Sequence, residues 1–345
     1  MTCIMVTWLP GPGAHALTGT WIEDENGSLF WTDATNWSGG SIPGFAIGDS
    51  ATLNWGFPGL QMISLNQALT LGTLNFVTGP GSTIALRSGV GGTLSMNNDG
   101  TAVINKSGAG TAGILTNLGL QNNLTLNLSQ GVLVLDGVVD GQNNLVKNGE
   151  GTLVMRRSNN YTGLTILNGG ITVVAPAGND LPVLGPSNML QGTYVNSGAT
   201  LALNNDASNL AGDTTGGTSF NSEPLFINGQ GFRNQGALRK LLGREDSVFT
   251  GPVTLLGDSR VQSDWGTLTL SGTVFTNNNN LRVGGAGFVS LTGGVSGSGT
   301  ITHYGLSGFR MQNLTPTAQT FSGAIISELG EIRADNSDGT TGFNP

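Results

Sequence analysis

Short alternations of apolar and polar residues run along the whole chain, separated by glycine, asparagine and aspartate. Clear examples lie at residues 73–77, 124–128, 152–155 and 267–270. A period of two is typical of β-strands that bury one face, and the residues between the runs favour tight turns. Helical periodicity is nearly absent, since the best window, residues 237–242, is too short for a stable helix. The pattern predicts an all-β protein.

Recurring phrases indicate how the strands are arranged. Gly-Thr-Leu begins at Gly72, Gly92, Gly151 and Gly266, and strand-like segments return at intervals of roughly 20 residues. Such a period predicts a coil whose stacked turns share one core, with Leu, Val and Ile inside and Thr, Asn and Ser outside. We therefore predict a right-handed parallel β-helix over residues 61–345. An antiparallel sandwich also spaces short strands regularly, and it is the alternative fold.

The N-terminal part differs from the rest in its tryptophan content. Four of the six Trp residues, Trp21, Trp31, Trp37 and Trp55, lie between residues 17 and 60. Because the ends of a solenoid expose its core, residues 17–60 are predicted to form an N-terminal cap. The alternative is a contact surface: Trp31, Trp37 and Trp55 are candidate contacts to a glycan or to a second subunit, since aromatic faces stack on sugar rings.

Composition excludes several classes of function. Only 10% of the residues are charged and the formal net charge is −8, so the basic footprint of a nucleic-acid-binding protein is missing. The single cysteine, Cys3, permits no intrachain disulfide. No apolar stretch is long enough to predict a membrane-spanning helix. Residues 1–16 end in Ala14-His15-Ala16, which fits a signal-peptide cleavage site although no basic segment precedes it.

One stretch of about thirty residues carries an ordered motif. Its positions are Lys147, Gly149, Gly151, Thr152, Leu153, Asn159, Tyr161, Thr162, Gly163, Thr165, Gly169 and Gly170. In this order they resemble the autotransporter-associated β-strand repeat, and residues 31–54 and 234–272 resemble other parts of the same class of protein. The resemblance implies a secreted β-helical passenger from a bacterial surface. Such repeats are associated with secretion and folding, and they carry no catalytic residues.

Motifs for catalysis or metal binding are sparse. Residues 108–113 spell G-x-G-x-x-G, but a strand-like segment follows where a nucleotide-binding motif needs a helix, so a turn is predicted. His15 and His303 lack the spacing of metal ligands, and His303 is predicted to be a solvated side chain. Residues 335–339 resemble the start of a calcium loop, yet the glutamate that such a loop needs does not follow. We expect no catalytic residue, no cofactor and no metal site.

These observations predict a structural or adhesive β-solenoid that is not an enzyme. Its expected location is secreted, at the bacterial cell surface or in the extracellular matrix. The expected partners are other copies of the chain, assembled end to end or laterally into filaments, and surface glycans. The alternative is a carbohydrate-binding or carbohydrate-cleaving β-helix, and a hydrolase of that kind needs two carboxyl groups about 5–9.5 Å apart.

Overall fold

The computed structural model describes residues 16–175, 182–186, 192–204, 219–220, 223–242, 246–312 and 320–335. Strands dominate this part of the chain, and every pairing between them is parallel. In most coils the chain runs along three sides of the solenoid in turn and then returns to the first side, one coil further along. Each residue range below is one strand of such a coil.

The first sheet takes one strand from each coil. Its strands are β1 (Thr18–Trp21), β3 (Ser50–Trp55), β6 (Thr73–Thr78), β9 (Ala102–Ser107), β12 (Leu124–Leu128), β15 (Leu145–Asn148), β17 (Thr165–Leu167), β19 (Thr193–Val195), β22 (Leu225–Gly229), the first half of β25 (Val253–Ser263), β27 (Val274–Phe275), β30 (Val295–Gly297) and β33 (Thr320–Phe321). The coils are numbered below by the order of these strands, so that β3 begins coil 2 and β15 begins coil 6.

The second sheet stacks in the same way. Its strands are β2 (Gly27–Phe30), β4 (Gly59–Leu65), β7 (Ser82–Ser88), β10 (Thr111–Ile114), β13 (Val132–Leu135), β16 (Thr152–Met155), β18 (Gly170–Val174), β20 (Ala199–Leu203), β23 (Leu238–Lys240), the second half of β25, β28 (Leu281–Gly285), β31 (Thr300–His303) and β34 (Ala324–Ser327). Because β25 runs along both sheets, the two form one continuous 25-stranded sheet.

The third side consists of two shorter sheets. One contains β5 (Ala68–Leu71), β8 (Thr93–Met96), β11 (Leu118–Leu120) and β14 (Val139–Gly141); the other contains β21 (Ser219–Phe220), β24 (Ser247–Phe249), β26 (Thr267–Leu270), β29 (Phe288–Leu291), β32 (Phe309–Gln312) and β35 (Ile332–Asp335). Three stacked parallel sheets joined by short corners make a parallel β-helix. The predicted fold class is confirmed, and the parallel pairing excludes the antiparallel sandwich.

The core follows from the alternation within each strand. On β12, Leu124, Leu126 and Leu128 are buried, whereas Thr125 and Asn127 point outward. The parallel register places each inward residue above the inward residue of the next coil, as Leu124 above Leu145. One hydrophobic cluster therefore extends from Trp21 to Met311. Each fully buried leucine in such a column contributes about 1.5–3 kcal/mol to folding.

Tryptophan side chains fill the interior of the first coil. The ring centroids of Trp21 and Trp37 are 5.2 Å apart at an interplanar angle of 88°, and those of Trp31 and Trp37 are 4.7 Å apart at 65°. The third side of this coil has two 3₁₀ turns, Ala34–Asn36 and Ser38–Gly40, instead of a strand. Residues 17–60 thus contain the first strands of the solenoid and the aromatic filling of its first coil.

A buried carboxylate holds the loop that completes the first coil. The Oδ2 atom of Asp49 accepts hydrogen bonds from the backbone N–H groups of Gly44, Phe45 and Ala46, at 2.7, 3.0 and 3.2 Å. Its Oδ1 atom accepts a further hydrogen bond from the N–H of Leu17 at 2.7 Å. Because the loop supplies these donors, the carboxylate is satisfied inside the protein and fixes the chain where it enters β3.

Candidate functional site

All three lysines of the chain, Lys106, Lys147 and Lys240, lie inside the solenoid and are at most 1% exposed. The Nζ atom of Lys147 donates hydrogen bonds to the carbonyl oxygens of Gly149 at 2.9 Å and Gly169 at 2.6 Å. The Nζ atom of Lys106 donates to three carbonyl oxygens in the equivalent corner of coil 4. Burial lowers the pKa of both amines to about 8. Lys106 and Lys147 thus bind the backbone of corners between the first and second sheets, and all three lysine side chains are buried.

Replacing Lys147 with methionine tests this corner role. Met fills a similar volume but leaves the carbonyl oxygens of Gly149 and Gly169 without the amine. We expect the free energy of unfolding to fall by about 2 kcal/mol, the usual cost of leaving buried acceptors unsatisfied. Chemical denaturation followed by circular dichroism measures it. The control is Val146→Met, an outward-facing change on the same strand, and an equal loss of stability in both variants would contradict the corner role.

The ordered motif at residues 159–165 also has a structural role. The side chain of Asn159 accepts a hydrogen bond from the N–H of Val139 at 2.8 Å, which ties coil 6 to coil 5. The hydroxyl groups of Tyr161 and Thr165 share a buried hydrogen bond of 2.5 Å. Gly163 packs against the backbone of Asn143 so closely that a Cβ atom there would lie 2.2 Å from the carbonyl oxygen. The motif residues thus determine the geometry of a corner.

A carboxyl group lies in the interior near this motif. Glu223 is 2% exposed, and its Oε1 atom accepts a hydrogen bond of 2.5 Å from the hydroxyl of Thr193. Thr193 stacks on Thr165 in the first sheet. Burial raises the pKa of Glu223 to about 8, against the opposing effect of the Thr193 hydrogen bond. Burial and the neighbouring Glu223 carboxylate also raise the pKa of Tyr161. Among the described residues, these groups form a buried network of hydrogen bonds.

An asparagine ladder runs along the outer face of the first sheet. Each side-chain Nδ2 donates to the side-chain oxygen of the preceding coil, at distances from 2.7 to 3.1 Å. Its members are Thr52, Asn75, Asn105, Asn127, Asn148, Asn168 and Asn196, from coil 2 to coil 8. All of them are exposed or half-exposed. The ladder makes a regular polar ridge on the outside of the protein, a feature the sequence analysis missed.

The outer face of the second sheet changes character along the solenoid. In the N-terminal half its central column consists of small and aliphatic residues: Met62, Ala85, Gly113, Val134, Val154, Val173 and Ala202. A groove with a volume of about 530 Å³ crosses this face between coils 2 and 6. The expectation that outward positions are Thr, Asn and Ser is therefore wrong for this sheet. Alternation alone does not identify the outward side of a strand when the residues on both of its faces are apolar.

A polar network covers the same sheet in the C-terminal half. The Arg239 guanidinium pairs with the Asp264 carboxylate at 2.7 Å, and Gln262 donates to the other oxygen of Asp264 at 2.7 Å. The Arg260 guanidinium donates to the hydroxyl of Tyr304 at 2.6 Å and lies 4.2 Å from the centre of its ring. These charges are largely paired among themselves.

The three tryptophans predicted as contacts lie in the core. Trp31, Trp37 and Trp55 are 0%, 1% and 1% exposed. The indole N–H groups of Trp31 and Trp37 donate to backbone carbonyl oxygens at 2.8 and 2.7 Å. A buried ring cannot stack on a sugar, so the prediction that these residues contact a glycan or a second subunit is wrong, and their side chains fill the first coils instead. Among the described residues, Trp265 is the tryptophan whose ring is exposed, at 59%.

The glycine motif, His303 and Asp335 lie at a corner, in the core and at the end of a strand, respectively. Gly108 and Gly110 form a corner, and strand β10 follows at Thr111 in place of a helix, as predicted. His303 is 1% exposed and stacks on Phe309 with centroids 6.0 Å apart, so the expectation of a solvated side chain is wrong. Asp335 ends β35, and residues 336–339 lie outside the described residues.

No group of three or more His, Cys, Asp or Glu side chains that could hold a metal ion occurs in the described part. No helix there is long and apolar enough to cross a membrane. No family model, curated protein or solved structure matches the chain. The resemblance to the autotransporter-associated repeat therefore stays a prediction.

Proposed function

We propose that this protein is an extracellular structural or adhesive β-solenoid of a bacterial surface and not an enzyme. The asparagine ladder is the observation that carries the proposal. It offers a long, repeated row of amide groups on the outside of the first sheet, and such rows stabilise contacts between stacked or laterally paired β-structures. The groups with the most strongly shifted pKa values, in contrast, are interior and bonded to the fold.

End-to-end assembly is the specific version of this function that we favour. Among the described strands, those of both terminal coils are paired on one side only: β1 and β2 in the first coil, and β33, β34 and β35 in the last. Unpaired strand edges are templates for another chain. Ion pairs at this coil, Arg282 with Glu328 at 2.7 Å and Arg333 with Glu331 at 2.9 Å, give the edge a charge pattern that would restrict which partner it accepts.

Electron microscopy of the purified chain over a concentration series tests the assembly. At about 4.8 Å per coil, we expect filaments with an axial repeat of about 60 Å. Isolated rods at every concentration would eliminate the filament version and leave adhesion to be tested on glycan arrays. Release of reducing sugar from a polysaccharide, abolished by a single Asp or Glu substitution, would overturn the proposal in favour of a glycan-cleaving enzyme.

A second candidate function, glycan binding, is favoured by Trp265. Its ring is 59% exposed in the corner between β25 and β26. The neighbouring Asp264 carboxylate and Gln262 amide supply hydrogen-bonding groups of the kind that orient a polar ligand. A sugar ring stacked on the indole would meet both an aromatic face and polar neighbours.

Intrinsic fluorescence tests this candidate. We expect binding of a glycan to quench the emission of Trp265, and the Trp265→Ala variant to lose at least tenfold in affinity. Phe57→Ala is the matched control, because Phe57 is also an exposed aromatic residue, at 56%, but lies at the other end of the solenoid. Equal loss in both variants, or no quenching by any glycan on an array, would count against glycan binding at Trp265.

A further inference from the structure

The groove on the outer face of the second sheet has a mostly apolar lining. Its floor is made by Ala85, Gly113 and Val134, and Leu60 and Met62 close one end. Ala85 and Val134 are only 2% and 4% exposed, although both point away from the core of the solenoid. The groove runs diagonally over five coils, a length of about 19 Å at one strand spacing per coil. Its volume of about 530 Å³ is within the range of small-molecule sites.

A buried arginine lies at the opposite end of this groove. Arg156 lines it from coil 6 and is 8% exposed, and its Nε–H has no hydrogen-bond partner among the described residues. A buried, unpaired guanidinium nitrogen is costly, and a ligand that accepts its hydrogen bond would relieve that cost. Arginine favours carboxylates in particular, because its planar donors match their two oxygens.

The neighbouring charges leave Arg156 available. Asp136 follows β13 in the preceding coil, as Arg156 follows β16, and it also lines the groove. The Asp136 carboxylate, however, pairs with the Nε atom of Arg157 at 2.9 Å, and the Asp136 carbonyl oxygen accepts a hydrogen bond from the same atom at 3.1 Å. Asp136 is thus engaged by Arg157, and the Nε–H of Arg156 has no acceptor among the residues that the structure describes.

We propose that this groove binds a linear aliphatic carboxylate, such as a free fatty acid of medium chain length. The carboxylate would bind the Arg156 guanidinium, and the aliphatic chain would lie along Val134, Gly113 and Ala85 toward Leu60 and Met62. Burial of methylene groups against this floor removes apolar surface from water and so favours a long chain over a short one. The site is separate from the asparagine ladder and from Trp265, so it does not depend on the function proposed above.

Titration calorimetry of the full chain with decanoate tests the proposal. We expect saturable binding of decanoate, at least tenfold weaker binding of acetate, and no binding of decyltrimethylammonium, which has the same chain and the opposite charge. Equal binding of decanoate and the decyl cation would show apolar adsorption only. Equal binding of decanoate and acetate would show an anion site without a role for the groove. Either result overturns the proposal, as does an absence of binding.

Two variants and a matched control locate the site. Arg156→Gln should reduce decanoate affinity at least tenfold, and Gly113→Val should reduce it by filling the floor without changing any charge. Arg87→Gln is the control, because Arg87 is an exposed arginine on β7 of the same sheet that does not line the groove. Circular dichroism and thermal unfolding check that each variant folds. Unchanged affinity in both site variants, with the fold intact, would place binding elsewhere and overturn the assignment.

Discussion

Gly163→Ala is expected to destabilise the solenoid by an amount on the order of 3 kcal/mol. A Cβ atom at this position would lie 2.2 Å from the carbonyl oxygen and 2.3 Å from the carbonyl carbon of Asn143. These atoms belong to the backbone of the preceding coil, which cannot move without breaking the stacking of coils 5 and 6. Overpacking against such a rigid neighbour usually costs about 1–3 kcal/mol, and occasionally more.

Gly56→Ala is the matched control for that experiment. Gly56 also lies at a corner of the solenoid, but a Cβ atom there would have no neighbour within 4 Å. We expect the midpoint of urea denaturation of this variant to stay close to that of the wild type. An alanine without strain in the folded chain causes no loss of stability, and it lowers the conformational entropy of the unfolded chain. If the two substitutions lower the midpoint equally, close packing of the coils is not the reason for glycine at residue 163.

The coil could be predicted from the sequence, but the register of the coils could not. Gly-Thr-Leu does mark the start of a strand each time, yet the strands belong to different sheets. Thr73 begins a strand of the first sheet, Thr152 one of the second, and Thr93 and Thr267 strands of the third side. The phrase fits any corner because all corners need a small residue followed by an extended one. The phrase therefore shows where a strand begins, but not which sheet the strand joins.

The asparagine ladder was hidden for a related reason. Asn127, Asn148 and Asn168 recur at nearly equal intervals, but Asn75 and Asn196 are displaced by longer corners in their coils. Only the hydrogen-bonded register aligns them in one column. The unpaired Nε of Arg156 could not be predicted either. The strand pattern shows that an arginine follows β16, but it does not show which residues approach the arginine side chain. The N-terminal tryptophans cluster in the sequence and are buried in the structure, but their sequence positions do not show that β1, β2 and β3 stack as coils of the solenoid.

Glu223→Gln is expected to change the pH dependence of stability more than any other single substitution considered. Burial raises the pKa of Glu223 from its ordinary value of 4.5 to about 8 in the folded chain. Between these two pH values the folded chain keeps a proton that the unfolded chain has released. The free energy of unfolding of the wild type therefore falls as the pH rises through this window, by roughly 1 kcal/mol per pH unit from this group. Below the window the contribution is fully present.

Glutamine keeps the side-chain oxygen that accepts the Thr193 hydrogen bond but has no proton to lose. The variant should therefore match the wild type near pH 5 and exceed its stability near pH 8, with the difference growing steadily between them. Urea denaturation at several pH values measures the free energy of unfolding of both proteins. Lys106, Lys147 and the other titrating groups contribute equally to both, so their contributions cancel when one free energy is subtracted from the other. Glu150→Gln, the same change at an exposed position, should show no such slope. Parallel pH profiles for wild type and Glu223→Gln would contradict the raised pKa of Glu223. They would mean that the carboxyl group is ionised in the folded protein and is stabilised there by a charged partner or by water.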